Sequence, residues 1–339
     1  MMTKRTGKQT IQFSAPPSIL SYSSVVGKKE GEGPIAKDFD YINNDTTFGE
    51  ASWEKSESRM QMESLTRTLN KAGISPGQVD YIYAGDLMNQ CIATSFGLRS
   101  FEIPLFGLYG ACSTMAEGIG LASMAIDGGY ASNSAVITSS HYCSAERQYR
   151  TPLEYGSQRT PLAQWTVTGS GSLLLGESGQ GPYITHFTTG IIVDLGIKDA
   201  ANMGAAMAPA AHSTITALFE DTNTTPSCYD LIITGDLGYF GNEILLDLFK
   251  RSNVTFNNNL GDCGIMIFDK DTQDVHSGGS GCGCSAVTLC GKLLNDMKAG
   301  KLNKLVFAGT GALLSPTSTL QGETIPGICH AVVISNTIS

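Results

Sequence analysis

Two short patterns occur twice in this chain, in the same order, and this duplication constrains the fold more than any other feature. The segment VDYIYAGDL at 79–87 and the segment YDLIITGDL at 229–237 share Asp, Ile, Gly, Asp and Leu at equivalent positions. The segments GACSTMAEG at 110–118 and GCGCSAVTLC at 281–290 both place Cys-Ser at a glycine-rich turn that leads into a helical pattern. Two matches in one order predict a duplicated α/β unit.

Strand and helix patterns alternate within each copy. Short runs of β-branched and aromatic residues predict strands at 79–84, 134–139, 229–234 and 304–309. Helical patterns alternate with these strands, among them Trp53 to Ala72, with Gly73 as its expected end. This alternation predicts mostly parallel sheets that helices cover on both faces.

The length and the composition fit such an arrangement. The chain has 339 residues, of which 16% are charged. The charged share is below the roughly 25% that is typical of soluble domains, so much of the chain is expected to be buried. We predict two similar halves, 1–190 and 191–339, packed as α-β-α-β-α layers. The helices that begin near Cys112 and Cys284 are expected in the central layer.

The net charge of -9 and the scattered Lys and Arg residues disfavour a nucleic-acid partner. The nine cysteines are odd in number and lie mostly in apolar or glycine-rich stretches, which indicates reduced thiols and no disulfide framework. The pair Cys282 and Cys284 lacks the second pair of a zinc site, and no carboxylate-rich loop suggests a dedicated calcium site. We therefore expect no bound metal and no cofactor.

Membrane and targeting signals are weak. The first 13 residues contain Lys and Arg but no apolar segment after them, so they do not resemble a signal peptide. The most membrane-like stretch, Leu105 to Ile126, contains Glu117 and many small residues. We interpret it as a buried strand end and helix, so any membrane association is expected to be peripheral.

The segment Gly110 to Thr114 (GACST) lies between a strand-like run and a helix rich in small residues. This is the arrangement of a nucleophile elbow. A cysteine at a helix N-terminus is stabilised as a thiolate, and the neighbouring backbone N–H groups suit an oxyanion or a carboxylate. The structural alternative is that Cys112 is a small buried residue that fits a tight helix start.

The order of these segments resembles the thiolase and ketoacyl-acyl carrier protein synthase superfamily. KAGISPGQVDYIYAGD at 71–86 is similar to the helix-turn-strand that opens the first sheet of that family, and LAQWTVTGSGSLLLGES at 162–178 is similar to its glycine-rich strand. The resemblance implies a thiolase-like duplicated layered fold with Cys112 at the nucleophile position. It also implies a homodimer, for which we expect the strand SAVITSS at 134–140 to form the seam.

The catalytic partners of that superfamily do not carry over. Where it has His or Asn after the second-half strand, this chain has Gly235-Asp236-Leu237-Gly238. The turn at 278–285 has neither His nor Asn, and the strand at 305–314 has no second Cys. Because a cysteine that attacks an acyl group needs a base and oxyanion donors, we predict a catalytically degenerate protein that is not an enzyme.

A narrower resemblance covers most of the chain. The segments at 107–118, 137–171 and 233–248 are similar to the stage V sporulation protein AD family, which belongs to the SpoVA proteins of the spore membrane. The resemblance implies binding of dipicolinic acid, which the SpoVA complex moves with calcium into the forming spore and out at germination. It also implies other SpoVA membrane proteins as partners, and a peripheral place at the forespore inner membrane.

We predict that the ligand lies at the helix start formed by Cys112 and Ser113, where backbone N–H groups would bind one carboxylate. His141 follows a strand and is the expected donor to the other carboxylate, with a core histidine as the alternative. Arg147 and Arg150 are candidate clamps for a carboxylate, with surface or interface ion pairs as the alternative. On this view Cys112→Ser keeps binding largely intact, while His141→Ala weakens it.

Three functions therefore remain open at this point. The first is a non-enzymatic binding protein for an aromatic dicarboxylate. The second is an acyl-transfer or condensing enzyme that uses Cys112, with His141 or His276 as its base. The third is a scaffold that docks partner proteins and whose pocket is vestigial.

Overall fold

The computed structural model describes residues 4–150 and 158–338. The strands in these residues are β1 (Thr10–Gln12), β2 (Ser18–Val26), β3 (Tyr41–Ile42), β4 (Tyr81–Gly85), β5 (Leu105–Gly107), β6 (Asn133–Ser140), β7 (Trp165–Thr166), β8 (Gly169–Gly176), β9 (Tyr183–Thr188), β10 (Leu231–Thr234), β11 (Leu260–Asp262), β12 (Gly279–Ser280), β13 (Lys304–Ala312) and β14 (Gly327–Ser335).

The helices in the same residues are α1 (Trp53–Ala72), α2 (Ile92–Leu98), α3 (Thr114–Asp127), α4 (Tyr142–Tyr149), α5 (Met203–Thr222), α6 (Gly238–Arg251), α7 (Cys263–Met266), α8 (Cys282–Thr288), α9 (Leu294–Lys298) and α10 (Pro316–Leu320). A π-helical turn, Leu289–Leu293, joins α8 to α9. The helix predicted from Trp53 to Ala72 is confirmed as α1, which Ser52 caps at its start and Gly73, at φ 67°, ends in the left-handed conformation.

The main sheet consists of two five-stranded units that have the same strand order. The first unit runs β5-β4-β6-β8-β2 and the second runs β11-β10-β13-β14-β9. In each unit the first three strands are parallel, and the fourth and fifth are antiparallel to their neighbours. The duplication is therefore confirmed at the level of topology. The sheets are mixed, because β8 and β14 run back alongside β6 and β13.

The helices form the predicted layers. Helix α3 contacts β4 and β6 of the first unit and β13 and β14 of the second, and it also contacts α8. These two helices therefore make up the central layer, and Met115 and Ile119 of α3 are fully buried. Helix α1 packs on the first unit and α5 on the second, so the protein has the thiolase-like layered fold. Strand β9 already belongs to the second sheet unit, while the division at 190/191 stays a prediction.

The prediction that SAVITSS forms a dimer seam is wrong for the strand concerned. That segment is most of β6, which pairs with β4 on one side and with β8 on the other. Since both of its edges already carry backbone hydrogen bonds, β6 has no free edge to offer a second chain. The outer strand of the first unit is β5.

The membrane-like stretch from Leu105 to Ile126 folds as β5, a short turn and the buried helix α3. Within residues 4–150 and 158–338, no helix combines the length and the apolar character needed to cross a bilayer.

Candidate functional site

The elbow predicted around Cys112 is present, and close packing of two layers holds it in place. Residues Ala111–Ser113 form a 3₁₀ turn that continues into α3, and Ala111 has a positive φ of 51°. A Cβ at Gly311 of β13 would lie 2.8 Å from the carbonyl oxygen of Gly110. Glycine in β13 therefore allows the second sheet unit to approach the backbone of the elbow closely.

Cys112 lies in the wall of a cavity of about 370 Å³. The cavity lies between the two halves, and its wall contains residues from both: Leu87, Ala111, Cys112, Ala145, Glu146, Tyr149, Arg150, Thr166, Ala200, Ala201, Met203, Ser280, Ala312, Leu314, Pro316, Thr319 and Leu320. Small-molecule sites commonly enclose about 300–1,000 Å³, so this cavity suits a compact ligand. Within the described residues, its wall is largely apolar and contains one carboxylate, Glu146, and one guanidinium, Arg150.

Asp236 is a buried carboxylate close to Cys112. It was not among the predicted site residues. It follows β10 and is completely buried. One carboxylate oxygen accepts hydrogen bonds from Gly281 N at 2.9 Å and Ser280 Oγ at 3.2 Å, and the other accepts from Thr310 Oγ1 at 2.9 Å. The Cys112 thiol lies within electrostatic reach of this carboxylate. Asp236 thereby connects the turn before α8 to β13, close to the elbow.

Burial disfavours the ionisation of both groups, and the charge of Asp236 disfavours that of Cys112 as well. Burial raises the pKa of Asp236 to about 6. Burial also raises the pKa of the Cys112 thiol well above its ordinary value, and the neighbouring Asp236 charge raises it further. A negative carboxylate next to a thiol opposes thiolate formation, and the thiolate is the nucleophilic form of cysteine. The site therefore holds Cys112 as a neutral thiol.

The internal repeat contained the signal that would have found Asp236. Asp86 and Asp236 occupy the same position in the two GDL segments, directly after β4 and β10. Asp86 is also completely buried and accepts hydrogen bonds from Thr94 N and Thr94 Oγ1. An acidic residue at the end of equivalent strands in both copies indicates a buried polar junction.

Of the predicted ligand-binding residues, the structure brings Cys112 and Arg150 together in one cavity. Arg150 follows α4, and its Nε lies 2.6 Å from Oε2 of Glu146, which lines the same cavity. Tyr149 also lines the cavity, and its hydroxyl donates to the carbonyl oxygen of Leu87. Helix α4 therefore supplies the charged part of the wall.

The structure places the other three predicted residues away from the wall, as far as the described residues define it. Ser113 is buried, and its hydroxyl donates to Gly110 O at 2.7 Å. His141 caps α4: its Nδ1 accepts from Cys143 N at 3.2 Å, so Nε2 carries the proton that it donates to Thr46 O at 3.0 Å. Arg147 pairs with Glu54 on α1.

His141 is thus neutral and occupied at both ring nitrogens. Burial lowers its pKa, and neither nitrogen is left to donate to a ligand. Sequence alone placed it one strand beyond the elbow, but the direction of its side chain depends on how α4 docks on the loop that contains Thr46.

All nine cysteines are free thiols. Within the part of the chain that the structure describes, no three or more His, Cys, Asp or Glu side chains are grouped so as to hold a metal ion.

A protein family and a curated relative both match nearly the whole chain. The family "Stage V sporulation protein AD (SpoVAD)" matches residues 7–335. Stage V sporulation protein AD of Bacillus subtilis (strain 168) is 42% identical over 330 residues, which cover 97% of this chain and 97% of that protein.

Solved structures with the same fold are ketoacyl-synthase-type enzymes. The 3-oxoacyl-[acyl-carrier-protein] synthase III of Aquifex aeolicus VF5 has a TM-score of 0.58 at 13% identity, over 94% of this chain and 99% of that one. Cerulenin-bound OleA of Xanthomonas campestris has a TM-score of 0.61 at 12% identity, over 98% of this chain and 100% of that one. These likenesses establish the fold, whereas the Bacillus relative is named as a sporulation protein. The chain therefore belongs to the stage V sporulation protein AD family and has a role in sporulation.

Proposed function

We propose that this protein is a non-enzymatic binding protein for dipicolinic acid (pyridine-2,6-dicarboxylate). In this proposal it acts within the SpoVA membrane complex, in uptake during sporulation and release during germination. The observation that carries the proposal is the cavity beside Cys112, which combines the guanidinium of Arg150 with a thiol that burial, and then the charge of Asp236, keeps neutral. In this proposal the turn at Cys112 binds the ligand, and the Cys112 thiol does not act as a nucleophile.

The shape and chemistry of the cavity suit a small planar dicarboxylate. Tyr149, Leu87 and Leu314 provide apolar wall on which an aromatic ring can lie. Arg150 offers a planar guanidinium to one carboxylate, which is the geometry of a bidentate pair. The N-terminal end of α3 at Cys112, which is the positive end of the helix dipole, favours the other carboxylate.

Titration calorimetry with dipicolinate tests the proposal. We expect binding with a stoichiometry of one per chain, and weakening by about 2 kcal/mol in Arg150→Gln, the usual scale for a lost hydrogen bond to a charged group. Arg147→Gln is the matched control, because Arg147 lies on the same helix but pairs with Glu54 outside the cavity. Absence of binding by the parent protein would refute the proposal. Parallel titrations with and without Ca²⁺ decide whether the ion enters with the ligand.

The alternative is a Cys-dependent acyl-transfer or condensing enzyme, which the elbow and the fold neighbours favour. Neither His141 nor His276 supports it by position: His276 pairs with Asp274, and its Nδ1 lies 2.7 Å from Thr160 O. Intact-mass measurement after incubation with acyl-CoA donors separates the two functions. A stable acyl adduct on Cys112, or turnover, would establish the enzyme and overturn the binding-only proposal.

The proposal includes a homodimer formed through β5. This strand is the outer strand of its sheet unit, and Leu105 and Phe106 on it are about half exposed. Pairing β5 with its symmetry mate would continue the sheet and cover these apolar side chains. Light scattering at micromolar protein that gives the monomer mass would count against it.

The proposal also places the protein peripherally at the forespore inner membrane, in contact with other SpoVA membrane proteins. The family membership supports this location. Fractionation of sporulating cells, with and without a high-salt wash, tests it. Recovery of the protein in the forespore soluble fraction under all conditions would refute it.

A further inference from the structure

One face of α4 presents a line of polar side chains to the cavity region. Tyr142, Glu146 and Arg150 follow one another at intervals of four residues, so they lie one above another along the helix. Glu146 and Arg150 both line the cavity and form the 2.6 Å ion pair. The only guanidinium in the described part of the wall is thus already occupied by a carboxylate of the protein itself.

A second guanidinium lies beside this face. Arg159 is held in place by Asp274, to which Nη2 donates at 2.6 Å, and its guanidinium lies 4.8 Å from the ring centroid of Trp165. Trp165 stacks in turn on Tyr142, with ring centroids 3.8 Å apart. Arg159 is therefore fixed next to the first turn of α4.

Arg159 carries a donor that the described residues leave unused. Its side chain is only 6% exposed, and among residues 4–150 and 158–338 its Nη1 is buried without a hydrogen-bond partner. Buried donors are almost always paired, and leaving one unpaired costs about 1–3 kcal/mol. Nη1 of Arg159 is therefore available to an acceptor.

Glu146 is a carboxylate within electrostatic reach of Arg159. Burial raises the pKa of Glu146, and the charges of Arg150 and then Arg159 act in the opposite direction. Glu146 is thus ion-paired with Arg150 and in the electrostatic field of Arg159, and among the described residues its Oε2, like Nη1 of Arg159, has no hydrogen-bond partner.

We propose that Glu146 is a built-in competitor for the ligand: it occupies Arg150 in the empty pocket, and an incoming carboxylate displaces it towards Nη1 of Arg159. The inference rests on the proposed binding function and concerns the specificity of the same site. The exchange keeps every buried charge paired, since the ligand takes Arg150 and Glu146 takes the unused donor of Arg159.

The exchange selects for anionic ligands. A neutral aromatic molecule of the same size cannot replace the carboxylate of Glu146 at Arg150. The Glu146–Arg150 ion pair would therefore stay intact in its presence. A carboxylate ligand replaces one charge-assisted pair with another and gains a second pair at Arg159. The Glu146–Arg150 pair thus makes the site selective for carboxylate ligands over neutral molecules.

Calorimetric titration of dipicolinate into four proteins tests the exchange: the parent, Glu146→Gln, Arg159→Lys and the double variant. Glu146→Gln is expected to bind about tenfold more tightly, because Arg150 no longer has a charged partner to lose. Arg159→Lys keeps a cation for Asp274 but removes the second terminal nitrogen, so one compact ammonium replaces the two separate donor positions of the guanidinium. It is expected to weaken binding about tenfold in the parent background and to have little effect when residue 146 is Gln.

The possible failures are distinguishable. Absence of dipicolinate binding by the parent overturns the proposed function and the exchange together. If the parent binds, then weaker binding by Glu146→Gln, or an equal loss from Arg159→Lys in both backgrounds, overturns the exchange and leaves the binding function standing. Arg147→Gln serves as the control for a change of charge on the same helix, and thermal unfolding of each variant establishes that it is folded.

Discussion

Replacement of Asp236 by Asn is the most informative single change at the site. Asp236 has an ordinary pKa of 3.8, which burial raises to about 6 in the folded protein. The folded state therefore binds the proton more tightly than the unfolded state, and the free energy of unfolding falls as pH rises from about 4 to about 6. The full difference corresponds to about 3 kcal/mol, since one pKa unit is 1.36 kcal/mol.

The Asn side chain retains the shape and loses the titration. Its oxygen can still accept from Gly281 N and Ser280 Oγ, and its amide can donate to Thr310 Oγ1. We therefore expect Asp236→Asn to gain about 2 kcal/mol of stability relative to the parent between pH 4 and pH 7. Urea unfolding of both proteins at several pH values, followed by circular dichroism, measures this difference.

The same variant tests the account of the thiol. Without the neighbouring negative charge, the pKa of Cys112 is expected to fall, so iodoacetamide should alkylate it faster in Asp236→Asn than in the parent. Peptide mass spectrometry measures the rate, with the exposed Cys228 as an internal reference. A stability difference that does not vary with pH, or an unchanged alkylation rate at Cys112, would refute the reasoning.

Three further predictions concern other parts of the structure. Burial raises the pKa of Glu30 from 4.5 to about 7, so the folded state loses stability as pH rises through this window. Glu30→Gln, which can keep the bond from Thr168 N, should gain about 2–3 kcal/mol relative to the parent between pH 5 and pH 8 in urea unfolding; no change with pH would contradict this. Gly281 has φ 98°, and a Cβ there would lie 2.7 Å from Ser140 Oγ. Gly281→Ala should therefore lower the urea midpoint of unfolding by an amount equivalent to about 1–3 kcal/mol. An unchanged midpoint would argue against strain at this turn. Leu105→Lys on β5 should convert the proposed dimer into a monomer in light scattering, whereas Leu246→Lys, on the equally exposed surface of α6, should not; identical masses for both variants would exclude the β5 seam.

The sequence by itself determined the architecture. The repeated GDL and Cys-Ser segments predicted two like units, and the two five-stranded sheets have the same strand order. The buried central helix also followed from local pattern, because the stretch after Cys112 consists mostly of small and apolar residues, which suit a helix that is packed on most of its faces. These features depend on residues close in sequence, which pattern and spacing describe well.

The composition of the site was decided by tertiary structure. Asp236 lies 124 positions after Cys112 in the chain, and only the stacking of the two sheet units brings its carboxylate under the thiol. His141 and Arg147 look like ligand residues in the sequence, but the docking of α4 on α1 and on the loop at Thr46 gives them other partners. Arg147 lies on α4 and Arg150 at its end. Which of the two lines the cavity depends on the helical phase and on which face of α4 is packed.

The position of a strand within the sheet could likewise not be predicted from the local sequence pattern. β6 and β5 are both short apolar strands in the sequence, yet β6 is paired on both sides and β5 forms the outer edge. An edge is a property of strand order, and strand order results from long-range backbone pairing. The sequence therefore specified which elements form and that they are duplicated, while the approach of the two halves decided which side chains meet at the cavity.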